Sequence, residues 1–120
     1  MSPRGYIPEE NRKKLFIICG SYNEFRYWQN RVHRKTKDYT CIYAREDRIR
    51  GYRDGCFIRL GNWFTLRDHS AQIMLEIMSH HNFTELHYSD FFGFESEEAE
   101  RDFYTKDFRE EFLSEEEMWI

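Results

Sequence analysis

Four sets of residues in this chain have types and spacing that could do chemistry. The first is Gly20-Ser21-Tyr22-Asn23, a Gly-stopped loop between an apolar run and a helical pattern, with Gly61-Asn62 standing after a second apolar run. In open α/β sheets ligands collect outside the carboxyl ends of strands, where helix N-termini offer unpaired N–H groups to anions. Gly20, Ser21, Asn23, Gly61 and Asn62 are therefore candidates for holding a nucleotide or other phosphorylated ligand. Neither G-x-G-x-x-G nor G-x-x-x-x-G-K-[ST] is present, and Ser21 stands at capping-box distance from Glu24, which gives its hydroxyl a structural task.

The second set is the connector Arg45 to Gly55, where Arg45, Arg48, Arg50 and Arg53 lie close to Tyr43 and Tyr52. Arginines hold phosphates and aromatic rings stack on bases, so this segment is a candidate nucleic-acid contact, interrupted by Glu46, Asp47 and Asp54. The third is the acidic end. Residues 1–84 carry 15 Lys+Arg against 9 Asp+Glu, a balance of +6, whereas residues 85–120 carry 3 against 13, a balance of -10. Glu97, Glu98, Glu100, Glu110 and Glu111, interleaved with Phe103 and Phe108, form a candidate surface for a protein partner with a basic face.

The fourth set, the histidines and cysteines, points away from catalysis and from metal. His80 and His81 are adjacent and so point about 100° apart on a helix, where chelation wants i, i+4 spacing. At a helix end they suit the free carbonyls instead. Cys19, Cys41 and Cys56 are an odd number without a C-x-x-C, each inside an apolar strand-like run, as expected of buried reduced thiols in a cytoplasmic protein. No nucleophile elbow and no Cys–His order is visible, so no catalytic residue, metal or cofactor is expected.

The elements that must position these groups follow from periodicity. Leu15 to Cys19 is a continuous apolar run rich in β-formers, the pattern of a strand buried on both faces. Phe25, Trp28 and Val32 then recur at helical spacing and predict a helix over about 22–35, ending in Arg34 and Lys35. A second strand over 39–44 completes a βαβ unit, which makes the two strands parallel. The third strand is Cys56 to Leu60; Thr65 and Asp68 repeat the cap spacing before a second helix over about 66–81, and Glu85 to Tyr88 is a short edge strand. Ser89 to Phe94 is a turn with docked aromatics, and an acidic amphipathic helix spans Glu95 to Leu113.

The expected fold is therefore α/β: a small, mainly parallel sheet of three or four strands with flanking helices. It forms a single domain over 1–120, with a loose arm at 1–12, a core at 13–88 and an acidic helical extension at 89–120. Hydrophobic residues at 40% and only 6 Gly and 2 Pro exclude collagen-like and bulk-disordered chains. No apolar stretch approaches the roughly 18–20 residues of a membrane span, and the N-terminus lacks the apolar core of a signal peptide.

Arg48-Ile49-Arg50-Gly51 followed by Cys56 to Leu60 resembles the turn and strand that precede the acidic Walker B residues of helicase and terminase motors, but Leu60 and Gly61 stand where those acids belong. The order strand–Gly–helix–strand–Arg-Gly–strand–Gly-x-Trp–helix over 13–82 also resembles small bacteriophage-encoded Rossmann-like proteins. That resemblance implies a host-cell cytoplasmic setting, and the acidic end on a small, motif-poor chain points to a non-enzymatic binding role. The expectation is an inhibitor that engages a host or viral protein, such as a nucleic-acid-directed defence system, through its acidic end. The alternatives are a binder of, or enzyme on, a phosphorylated ligand, and a nucleic-acid binder acting through the arginine connector.

Overall fold

The computed structural model describes residues 11–105. Four strands, β1 (Lys13–Ile18), β2 (Tyr39–Tyr43), β3 (Cys56–Arg59) and β4 (Thr84–Glu85), form one sheet in the order β2-β1-β3-β4, and every pairing is parallel. The expected α/β class and parallel sheet are what the chain adopts. Among the described residues no helix is long and apolar enough to cross a membrane.

β1 is central because Leu15, Phe16, Ile17 and Ile18 are all fully buried. Side chains alternate along a strand, so this run supplies both faces of the sheet. Leu15 and Ile17 join Phe25, Trp28 and Val32 of helix α1 (Tyr22–Lys35) and Phe91 and Phe92 of the short helix α4 (Ser89–Phe92). Phe16 and Ile18 pack on the opposite face with Ile49 of α2 (Glu46–Ile49) and with Met74, Ile77 and Met78 of α3 (Ser70–His80). Helices thus cover both faces in a doubly wound arrangement. The chain leaves β1 for β2 in one direction and returns across it to β3, which puts a topological switch point between the carboxyl ends of β1 and β3.

Local chemistry departs from expectation in three places. Helix α3 starts at Ser70, four residues later than the sequence pattern suggests, because Asp68 and His69 both hold left-handed backbone (φ 57° and 55°) and no helical turn can pass through them. Thr65 does not cap it; its hydroxyl donates to the Asn62 carbonyl (2.6 Å) and closes a 3-10 turn over Trp63–Thr65. The edge strand falls on Thr84–Glu85, and Tyr88 already belongs to the entry of α4. The connector after β2 contains the one-turn helix α2, anchored by the fully buried Ile49. A final helix, α5, runs over 97–105 up to the last described residue.

Candidate functional site

The switch point brings the two glycine loops together. Leu60 donates its N–H to the Ile18 carbonyl (2.9 Å), so Gly20 and Gly61-Asn62 emerge side by side. A Cβ on Gly20 would stand 2.9 Å from the Asn62 carbonyl oxygen. Gly61 adopts φ +57°, and a Cβ there would overlap the carboxylate of Glu24. The absence of side chains at both positions is what lets the loops and that carboxylate meet.

Glu24 is the hub of this junction. Ser21 caps α1 as expected, accepting the Glu24 N–H on Oγ (3.2 Å). The Glu24 side chain reaches further than a capping box requires. Its Oε1 accepts the N–H groups of Gly20 (3.2 Å) and Asn62 (2.6 Å), and its Oε2 accepts from Asn62 Nδ2 (3.2 Å). A second carboxylate arrives from α5, where Glu97 Oε1 accepts the Gly61 N–H at 2.6 Å. The crevice therefore does attract anions, and the anions it holds are the protein's own side chains. A phosphate at Gly20, Ser21, Gly61 and Asn62 would have to displace both carboxylates from the donors it needs. Asn23 is exposed on the first turn of α1.

Helix α5 is tied to α1 by a second contact. Arg31 pairs with Glu100, which is almost fully buried, and also donates to the Tyr27 hydroxyl at 2.9 Å. Its guanidinium sits over the rings of Tyr27, Trp28 and Phe92 at 5.6, 5.3 and 5.0 Å. Burial alone would lower the Arg31 pKa, but the hydrogen bonds it donates to Tyr27 and Glu100 outweigh it and the pKa is raised. Glu97 and Glu100 thus face the body of the protein, whereas Glu98 and Asp102 are exposed on the other side of the same helix. Phe103 and Tyr104 are about half exposed, at 49% and 58%, and both rings contact Phe94. Phe108, Glu110 and Glu111 lie outside the described residues.

Between α1, the turn after β3 and α5 opens a cleft of about 550 Å³. Glu24, Glu97 and Glu100 line it together with Arg31 and Arg101, and three exposed rings, Tyr27, Phe64 and Tyr104, border it. No family model, curated protein or solved structure matches this chain. The chemistry of the cleft is accordingly read from its own side chains.

The arginine connector is spread over the molecule. Arg45 and Arg50 border a depression with Leu66 and Met74, following the carboxyl end of β2. Arg53 precedes the amino end of β3, in a different depression with Lys13, Lys14 and Tyr52. Arg48 is exposed on α2, and Arg45 makes a loose, exposed pair with Asp47 at 3.5 Å. Sequence proximity suggested one patch; the turn of α2 between β2 and β3 divides it.

The thiols are poorly suited to nucleophilic work. Burial pushes Cys19 and Cys41 up to about 12, and the Cys19 S–H is engaged with the Ser21 carbonyl at 3.4 Å. Cys56, less buried, is also raised by desolvation. His81 bonds the Tyr52 carbonyl through Nδ1 (2.8 Å), pinning the connector to the end of α3. Among the described residues no group of His, Cys, Asp and Glu could hold a metal ion.

Glu24 and Trp28 are among the site residues that local sequence reading leaves unassigned, the one reading as a cap and the other as core, and Arg31, Tyr27, Phe64 and Tyr88 join them. The only signal for Glu24 was its position at the third residue of α1, directly above the glycine that ends β1.

Proposed function

We propose that this protein is a small non-enzymatic binding protein that captures a partner with a basic surface through the outer face of α5. Its form is that of a phage-type inhibitor, in which presented carboxylates compete for a surface that otherwise binds nucleic acid. The observation that carries this reading is the division of labour along one helix. Glu97 and Glu100 anchor α5 to Gly61 and Arg31, and the anchored helix holds Glu98, Asp102 and Phe103 exposed away from that anchor, while Tyr104 borders the cleft. Pre-ordered charge beside half-exposed rings suits capture, because less side-chain and backbone freedom is lost on binding and the rings can act as desolvated anchors. The occupied switch point favours this reading over a nucleotide enzyme, since the N–H groups a phosphate would use already hold carboxylates.

The test is capture from host lysate with mass spectrometry of bound protein and nucleic acid. Wild type should enrich a basic, nucleic-acid-binding protein, and a folded variant carrying Glu98→Gln, Asp102→Asn and Phe103→Ala should lose at least about nine-tenths of it. Equal capture by that variant, or enrichment of nucleic acid in place of protein, overturns the reading.

A further inference from the structure

Resting on that binding role, we infer that the cleft between α1, the turn after β3 and α5 is a recognition pocket for one arginine side chain of the protein partner. The chain shows the chemistry once already. Arg31 sits over three aromatic rings with its guanidinium on the Glu100 carboxylate, so the same cleft wall supplies a filled guanidinium cage.

Beside it lies a second set of like groups, with no cation paired to it among the described residues. Glu97 uses one carboxylate oxygen on the Gly61 N–H, and the other has no partner among the described residues. Phe64 and Tyr104 offer exposed faces at the rim, 67% and 58% accessible. Tyr88 lines the cleft, is more than nine-tenths buried, and its hydroxyl has no hydrogen-bond partner among the described residues. A buried hydroxyl left without a partner costs free energy unless something supplies one, and the residue that carries this one is part of the cleft wall. Carboxylate, hydroxyl and ring faces together suit a planar guanidinium, which stacks and donates in several directions, better than a compact ammonium. Arg101 lines the same cleft, and among the described residues it forms no ion pair with Glu97.

The experiment is a titration of the isotopically labelled full chain with the blocked tripeptide Ala-Arg-Ala and with its citrulline counterpart, an uncharged near-isostere. The expected result is saturable shifts of the Gly61 and Asn62 amides and of the Trp28 indole N–H, with citrulline binding at least about tenfold more weakly. Tyr104→Leu, which leaves the anchoring carboxylates in place, should weaken the arginine peptide about three- to tenfold, and Glu97→Gln by more. Glu76→Gln on α3, across the sheet, controls for loss of net charge and should change nothing. Equal binding of the two peptides, shifts that do not saturate, or an undiminished affinity in Tyr104→Leu overturns the proposal. Because the shifts are read at cleft amides and partner capture is read on the outer face, a failed pull-down with intact peptide binding removes the functional reading alone. Failed peptide binding with intact capture removes the pocket alone.

Discussion

At the scale of single residues, the switch point is decided by what Gly61 lacks. Among the described residues two glycines hold left-handed backbone, Gly61 at +57° and Gly93 at +73°, and they differ in surroundings. An added Cβ at Gly93 meets nothing within 4 Å, whereas at Gly61 it collides with the Glu24 carboxylate and lies 3.0 Å from the Trp28 indole nitrogen. Gly93→Ala should therefore cost only the backbone strain, about 1 kcal/mol. Gly61→Ala adds the displacement of a carboxylate that serves three donors, and should cost about 2–4 kcal/mol in total. Urea unfolding of the two variants measures the difference; equal losses would mean that Glu24 relocates freely and is not the hub described above.

At the scale of elements, α5 is held by side chains rather than by the sheet. Arg31→Ala removes the cation from a ring cage and leaves Glu100, only 7% exposed at its side chain, without its partner. Stranding a buried charge costs about 3–5 kcal/mol, and because Arg31 is itself 26% exposed the effect here should be nearer 1–3 kcal/mol. The loss should be local. Amide exchange in 97–105 should accelerate about 10- to 100-fold with β1 unchanged, and Arg45→Ala, which breaks only the exposed pair with Asp47, should alter neither. Parallel acceleration in β1 would contradict the picture of a strapped-on helix. The same distinction explains what was legible beforehand. β1 and α1 could be read because their signals are local: four consecutive buried residues in one, Ser21 with Phe25, Trp28 and Val32 in the other. The start of α3 could not, because a cap spacing at Thr65 and Asp68 does not reveal that Asp68 and His69 will turn left-handed. Nor could the inward turn of Glu97 and Glu100, which depends on Gly61 and Arg31, 36 and 69 residues away. Charge counting located the acidic end and was blind to which acids the body would claim.

At the scale of the whole molecule, the two packed faces meet in one strand. Leu15, Ile17 and Cys19 belong to the cluster under α1 and α4, while Phe16 and Ile18 belong to the cluster under α2 and α3. β1 also pairs with both β2 and β3, so neither face can come apart without exposing the strand that supports the other. The domain should consequently unfold as one unit. The tryptophans provide independent reporters, since Trp28 is buried in one cluster and Trp63 packs against the other. With Trp119 replaced by Phe, variants retaining only Trp28 or only Trp63 should each give a fluorescence midpoint in urea that coincides with the far-ultraviolet circular dichroism of the same variant. Phe16→Ala cuts a cavity on the Trp63 side and Ile17→Ala on the Trp28 side, at about 3–5 and 2–5 kcal/mol respectively. Each should move the midpoint seen by the distant tryptophan as far as the near one, with the urea dependence unchanged. A cavity on one face that shifted only its own reporter would show two separately melting layers, and β1 would then not be the common support on which the cleft and α5 are built.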